Sequence, residues 1–127
     1  MQKRLMLEVY REAGVDPSNV SYVELHSHGM VEGDLQEINS VAEVFCSNQR
    51  STPLLVGSTT SNMGHSEAAG GLVALVKILI AMHDYAIPAN LHFSQRKSDI
   101  PGFSDDRLKV YTRISFLLEI LLQGIVI

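Results

Sequence analysis

Hydrophobic and polar positions along this chain switch between two periods, one near 3.6 and one near 2. Gln2 to Ala13 carries Leu5, Met6, Val9 and Tyr10 at helical spacing. Gly14 is placed to stop that helix, and Asp16-Pro17-Ser18 reads as a turn. Val20 to Leu25 runs apolar and β-branched around Tyr22 and predicts a strand. His26-Ser27-His28-Gly29 follows it directly, where a loop leaves a sheet edge. Open α/β sheets bind ligands beyond the carboxyl ends of their strands. Asp34, with Glu37 three positions on, predicts a capping box for the next helix. Ile38, Val41, Ala42, Phe45 and Cys46 supply its apolar stripe. Pro53 opens a short strand, Leu54 to Ser58. Leu72 to Met82 is apolar nearly all round, with Lys77 as its one charge, which predicts a helix buried on several sides. Pro88, Asn90 and His92 lie in an extended connection, Pro101-Gly102 marks a turn within polar Gln95 to Asp106, and Leu108 to Ile114 alternates like a strand. Alternating helices and strands predict the α/β class.

Composition narrows the picture. A chain of 127 residues, 46% hydrophobic, holds one domain with a modest core. The net charge of -4 argues against a nucleic-acid partner. The single cysteine, Cys46, excludes an internal disulfide framework and fits a reducing, cytoplasmic setting. Met1 to Tyr10 mixes charge with apolar residues, unlike a signal peptide. The apolar tail, Ile114 to Ile127, is short for a membrane span and reads as a buried helix or strand, or as a sticky end, with a membrane anchor as the lesser alternative. No membrane association is expected.

The densest chemical signal is Gly57 to Gly71, in which small residues place His65 between a strand and the long helix. Such a turn lets a ligand approach the backbone closely, and a histidine there exchanges protons near neutral pH. If the two strands are parallel neighbours, His26 and His65 emerge at one edge. Two imidazoles converging on one carbonyl oxygen form an oxyanion hole or a proton-transfer pair. On spacing alone, each also reads as a surface or hydrogen-bonded loop histidine. His26-Ser27-His28 also admits a metal reading, with Asp34 or His65 completing the site, although the spacing defines no third ligand. Cys46 lies on an apolar stripe and reads as an inert core residue. Gly57 to Gly64 lacks the order of a phosphate loop. Asn62 reads as a residue that fixes the turn, and His83 and His92 read as structural or solvated.

Two ordered blocks carry a resemblance. Tyr22-Val23-Glu24-Leu25-His26 followed by Gly33-Asp34-Leu35-Gln36-Glu37 resembles the Y-V-E-A-H-G-T-G-T-x-x-G-D-P-x-E block of β-ketoacyl synthases. Gly57 to Glu67, whose histidine falls thirty-nine residues on (65 − 26), resembles their G-S-x-K-S/T-N-x-G-H-x-E block. Ala13-Gly14-Val15, Ala69 to Lys77 and Pro88 to Phe93 match as flanks. The likeness runs over residues 5 to 112 and has the flavour of animal-type fatty acid synthases and modular polyketide synthases. It implies a thiolase-like fold, in part: the C-terminal half of a ketoacyl synthase, residues 1–113, followed by a tail, 114–127, that resembles nothing in the family. It implies decarboxylative Claisen condensation. His26 and His65 would bind the thioester carbonyl of malonyl-carrier protein, with Thr60 and Asn62 as substrate-binding positions. No cofactor or metal is implied beyond the phosphopantetheine arm of the carrier protein. The implied partners are that acyl carrier protein domain, the N-terminal half bearing the acyl-cysteine, and a second copy, since the family is homodimeric.

This sequence departs from the pattern at several positions. Thr60 stands where the family has lysine, Ser27, His28 and Met30 replace glycine and threonines, and Leu35 replaces proline. Cys46 does not match the nucleophile motif. The expectation is a fragment of a condensing enzyme that is inactive and poorly soluble alone. The alternatives are a decayed or truncated interaction fragment and, as a minor reading, a metal-binding domain built on His26, His28 and Asp34.

Overall fold

The computed structural model describes residues 1–47, 50–94, 100–112 and 115–116. A parallel three-stranded sheet organises the chain. Strands β1 (Tyr22–Glu24), β2 (Leu54–Gly57) and β4 (Leu108–Val110) lie in the order β1-β2-β4, with β2 in the centre. Tyr22 faces Leu55 and Glu24 faces Gly57 in the first pairing, and Leu54 faces Leu108 in the second.

Because side chains alternate across a strand, the sheet has two differently covered faces. On one, Leu25, Leu54, Val56 and Leu108 pack with Ile38, Val41, Ala42 and Phe45 of helix α2 (Val31–Phe45). Helix α1 (Gln2–Ala13) lies beyond α2 and contributes Met6 and Tyr10, the latter edge-on to Phe45 at 5.1 Å. Only part of the predicted α1 stripe is used, since Leu5 and Val9 are exposed. Gly14 ends α1 at φ 66°, and the Val15 N–H closes back on the Tyr10 carbonyl. On the other face, Tyr22 and Leu55 meet Ile78 and Ala81 of helix α4 (Gly70–Asp84). Gly57 lies on this face beneath the Tyr22 hydroxyl, where a Cβ would overlap the oxygen.

Several sequence expectations need correction. Helix α2 starts at Val31 with Met30 as its N-cap and no side-chain cap, so Asp34 and Glu37 form no capping box. Both carboxylates turn instead to the preceding loop. The predicted strand 20–25 shortens to β1, while Val20 sits buried beside it. Pro101-Gly102 belongs to a short helix, α5 (Pro101–Ser104), whose Gly102 packs against Leu108 and Ala42. Finally, α4 is not buried on several sides. Leu72, Leu75, Val76, Leu79, Ile80 and Met82 are half-exposed or more, because no described residue covers that side.

Helix α3 (Thr60–Met63) and a 3-10 turn, Glu67–Ala69, lead into α4. Strand β3 (Ala86–Ile87), which periodicity does not show, pairs antiparallel with β5 (Ser115–Phe116). Of the apolar tail, only that two-residue strand falls among the described residues; the remainder of 114–127 lies outside them. The strand expected over 108–114 shortens to β4, Leu108–Val110; Tyr111 and Thr112 lie beyond its end, and residues 113 and 114 lie outside the described residues. Among the described residues, no helix is long and apolar enough to cross a membrane.

Arg50 stitches the loops beneath the sheet. Its guanidinium donates to the carbonyls of Ser18 at 2.7 Å, Phe45 at 3.0 Å and Val20 at 2.5 Å. Cys46 is buried, and burial, partly offset by Arg50 and Arg107, pushes its thiol pKa up. That is the environment of an inert thiol rather than a nucleophile.

Candidate active site

Parallel pairing of β1 and β2 sends both chain segments out of the sheet at the same edge. His26 follows β1 by two residues, and His65 follows β2 through helix α3. The two rings meet edge to face with centroids 5.2 Å apart. The geometry therefore brings together the two histidines singled out by sequence. Both are exposed, and a cleft of about 230 Å³ opens beside His26, lined by Glu37, Thr60, Gly64, Ser66 and Gly70. Gly70 lies close under the His26 ring, where a Cβ would come within 3.1 Å of Cε1.

The loop that holds His26 is fixed from α2. Glu37 accepts from the His26 N–H at 2.7 Å and the Ser27 N–H at 2.9 Å. Asp34 accepts from the Gly29 N–H at 3.2 Å. These bonds hold Ser27 at φ 40°, an uncommon conformation for a residue with a side chain. The two acidic residues are thus loop anchors, a role their spacing does not reveal.

Thr60 does not project as a charged side chain would. Its hydroxyl donates to the His26 carbonyl at 2.8 Å, tying the two histidine-bearing segments together. The amide of Asn62 is spent on the backbone of 89–91, donating to the Ala89 carbonyl at 2.8 Å and accepting from the Leu91 N–H at 2.9 Å. Buried Asn90 in turn accepts from the Ser58 N–H. His83 is exposed beside Asp84.

His28 joins the pair as a third ring, 5.6 Å from His26 and 6.2 Å from His65. Its Nδ1 lies 3.5 Å from Asp34 Oδ1, a buried oxygen with no hydrogen-bond partner. The metal reading built on His26, His28 and Asp34 is not supported. Among the described residues, no three histidine, cysteine, aspartate or glutamate side chains converge as a metal ion requires, and one Asp34 oxygen is taken by the Gly29 N–H.

Behind the rings sits a charge cluster that neither periodicity nor motif spacing points to. Glu24 pairs with Lys77 at 2.6 Å, both almost fully buried, and accepts from the Tyr22 hydroxyl and from Thr59. Burial, and then the Glu24 charge, push the Tyr22 phenol far above its ordinary range. A sequence signal does exist: Glu24 stands alone in an apolar strand, Lys77 alone in an apolar helix, and lone opposite charges in buried elements find each other.

A parallel α/β sheet with two histidines at one strand edge is the arrangement that the resemblance to β-ketoacyl synthases implies. Comparison with known proteins agrees. Residues 1–94 match the family profile of the β-ketoacyl synthase C-terminal domain. The chain belongs to the β-ketoacyl synthase family, of the kind found in fatty acid and polyketide synthases. It is 48% identical over 82 residues to the fatty acid synthase of Anser anser anser, covering 65% of this chain and 23% of that one. It is 40% identical over 113 residues to the hybrid PKS-NRPS synthetase pyvA of Aspergillus violaceofuscus, covering 89% of this chain and 3% of that protein. Among solved structures, it superposes on the ketosynthase from module 6 of the bacillaene synthase of Bacillus subtilis 168 with a TM-score of 0.80. Identity there is 28%, over 91% of this chain and 22% of that one. The chain therefore spans less than a quarter of these proteins.

Proposed function

We propose that this chain supplies the carbonyl-binding part of a decarboxylative condensation in fatty acid or polyketide synthesis. The observation that carries the reading is the edge-to-face pair of His26 and His65 at the end of neighbouring parallel strands. When a malonyl thioester loses carbon dioxide, the breaking C–C bond leaves its electron pair on the enolate, with negative charge on the thioester oxygen. Two preset imidazole N–H donors lower that barrier. The enolate carbon then attacks an acyl thioester, and the thiolate departs.

The acyl thioester must come from elsewhere. Cys46 is buried, its thiol held protonated, and no other cysteine occurs in the chain. In this reading the chain forms no β-ketoacyl product alone. The half-exposed apolar stripe of α4 supports seating against a nucleophile-bearing half, and the resemblance supports a phosphopantetheine-armed carrier protein and a homodimeric assembly. The single cysteine supports a cytoplasmic setting. A second reading, a non-catalytic interaction fragment, is favoured by Thr60, which brings a hydroxyl where the family has a charge.

Malonyl-carrier protein is the probe that separates the two. Carbon dioxide release above background by the purified chain, abolished by His65→Ala, is expected from the catalytic reading. Release at the background rate refutes it and leaves the interaction fragment.

A further inference from the structure

The Glu24 cluster lies outside the condensation chemistry yet touches every segment that carries it. The Glu24 and Lys77 side chains are 7% and 9% exposed. Glu24 Oε2 accepts from Lys77 at 2.6 Å and from the Tyr22 hydroxyl at 2.5 Å. Oε1 accepts from the Thr59 N–H and from Thr59 Oγ1, each at 2.6 Å. Four donors fill the acceptor capacity of one carboxylate. They arrive from different places. Glu24 itself is two residues before His26 on β1. Thr59 opens the turn that leads through α3 to His65. Lys77 belongs to α4, the helix that follows His65.

We infer that Glu24 is the positioning residue of the imidazole pair, its carboxylate clamping the Thr59 turn and α4 to the end of β1 and so setting the separation of the His26 and His65 rings. Glu24 touches no reacting atom. Its charge is essential to the clamp, because a buried Lys77 ammonium left without its counter-ion draws water into the joint. A neutral isostere keeps the shape and loses the clamp. The consequence for rate rests on the carbonyl-donor reading above; the consequence for ring geometry does not.

The test is nuclear magnetic resonance of the full chain with labelled histidine rings, recorded below the concentration at which it associates. Wild type is expected to show a ring-to-ring nuclear Overhauser effect between His26 and His65. In Glu24→Gln that signal is expected to vanish, while the one between Tyr10 and Phe45 on the opposite face of the sheet persists and reports an intact fold. Thr59→Val keeps size and β-branching, removes one donor, and is expected to weaken the histidine signal. With malonyl-carrier protein, Glu24→Gln is expected to lower kcat about 100-fold at unchanged KM, the scale of a misplaced catalytic group.

A histidine ring signal retained in folded Glu24→Gln overturns the inference whatever the rate. Where the Tyr10–Phe45 signal also vanishes in Glu24→Gln, Thr59→Val decides, and a histidine signal at wild-type intensity there overturns it. Absence of the histidine signal from wild type overturns it as well. If Glu24→Gln abolishes that signal in a chain whose wild type releases no carbon dioxide, the clamp stands and the carbonyl-donor reading is refuted instead.

Discussion

Helix α4 presents its apolar stripe to solvent, and two charges placed in that stripe should change how the chain behaves in solution. Leu72, Leu75, Val76, Leu79 and Ile80 follow one another at helical spacing, and with Met82 each is about half exposed. Fully burying a large apolar side chain is worth about 1.5–3 kcal/mol, so covering the exposed half of six gains about 5–9 kcal/mol. Two chains meeting through this stripe gain twice that, about 10–18 kcal/mol, against an association cost of about 4–15 kcal/mol. At the middle of both ranges, about 14 against about 9.5 kcal/mol, the remainder of about 4.5 kcal/mol corresponds to a Kd of about 0.5 mM. The isolated wild-type chain is therefore expected to self-associate and to bind an apolar dye. Leu75 and Leu79, 54% and 55% exposed, lie one turn apart in the middle of the stripe. Leu75→Glu with Leu79→Glu should give a monodisperse monomer of unchanged helical circular dichroism. Sedimentation velocity across a dilution series reads both outcomes. A wild-type chain that sediments as a monomer throughout, with a cooperative thermal melt, would refute the reasoning.

Other expectations follow from single sites. Gly57→Ala places a methyl against the Tyr22 hydroxyl and should cost about 1–3 kcal/mol. Hydrogen exchange of the β1 and β2 amides should speed up accordingly, and unchanged protection would show that the strands absorb the methyl. Burial raises the Cys46 pKa, so the folded chain holds its thiol proton more tightly than the unfolded chain does. That stability is present below the unfolded thiol pKa, 9.0, and is lost as pH rises through the higher folded value. Cys46→Ala should flatten this alkaline slope in a denaturant series, and native Cys46 should resist alkylation at neutral pH. Thr60→Lys restores a charge beside the imidazoles and should raise malonyl decarboxylation about tenfold; a rate unchanged from wild type would show that the missing charge does not limit that step.

Much of the architecture is legible in the sequence because local physics sets it. The α2 stripe from Ile38 to Cys46 needs burial wherever the helix lies, and β2 is apolar enough to be a central strand. The misreadings share one origin. Asp34 and Glu37 have the spacing of a capping box, but the chain entering α2 from His26 turns back over the helix, and its N–H groups reach those carboxylates first. Helix α4 reads as buried because its residues are apolar; whether anything covers them is a property of the assembly, not of the helix. Thr60 stands out in the sequence for the charge it lacks, whereas its hydroxyl bond to His26 depends on a loop thirty-four residues away.

What the sequence alone determined is the kind of protein: two ordered blocks with a histidine in each, and elements whose hydrophobic periods are local. What only the tertiary structure decided is how those blocks meet. Parallel pairing of Glu24 with Gly57 brings His26 and His65 within 5.2 Å, and burial forces Glu24 and Lys77 to find each other across fifty-three positions. Periodicity reports which face of an element shuns water. Which elements share that face is settled by long-range packing, to which a local pattern is blind.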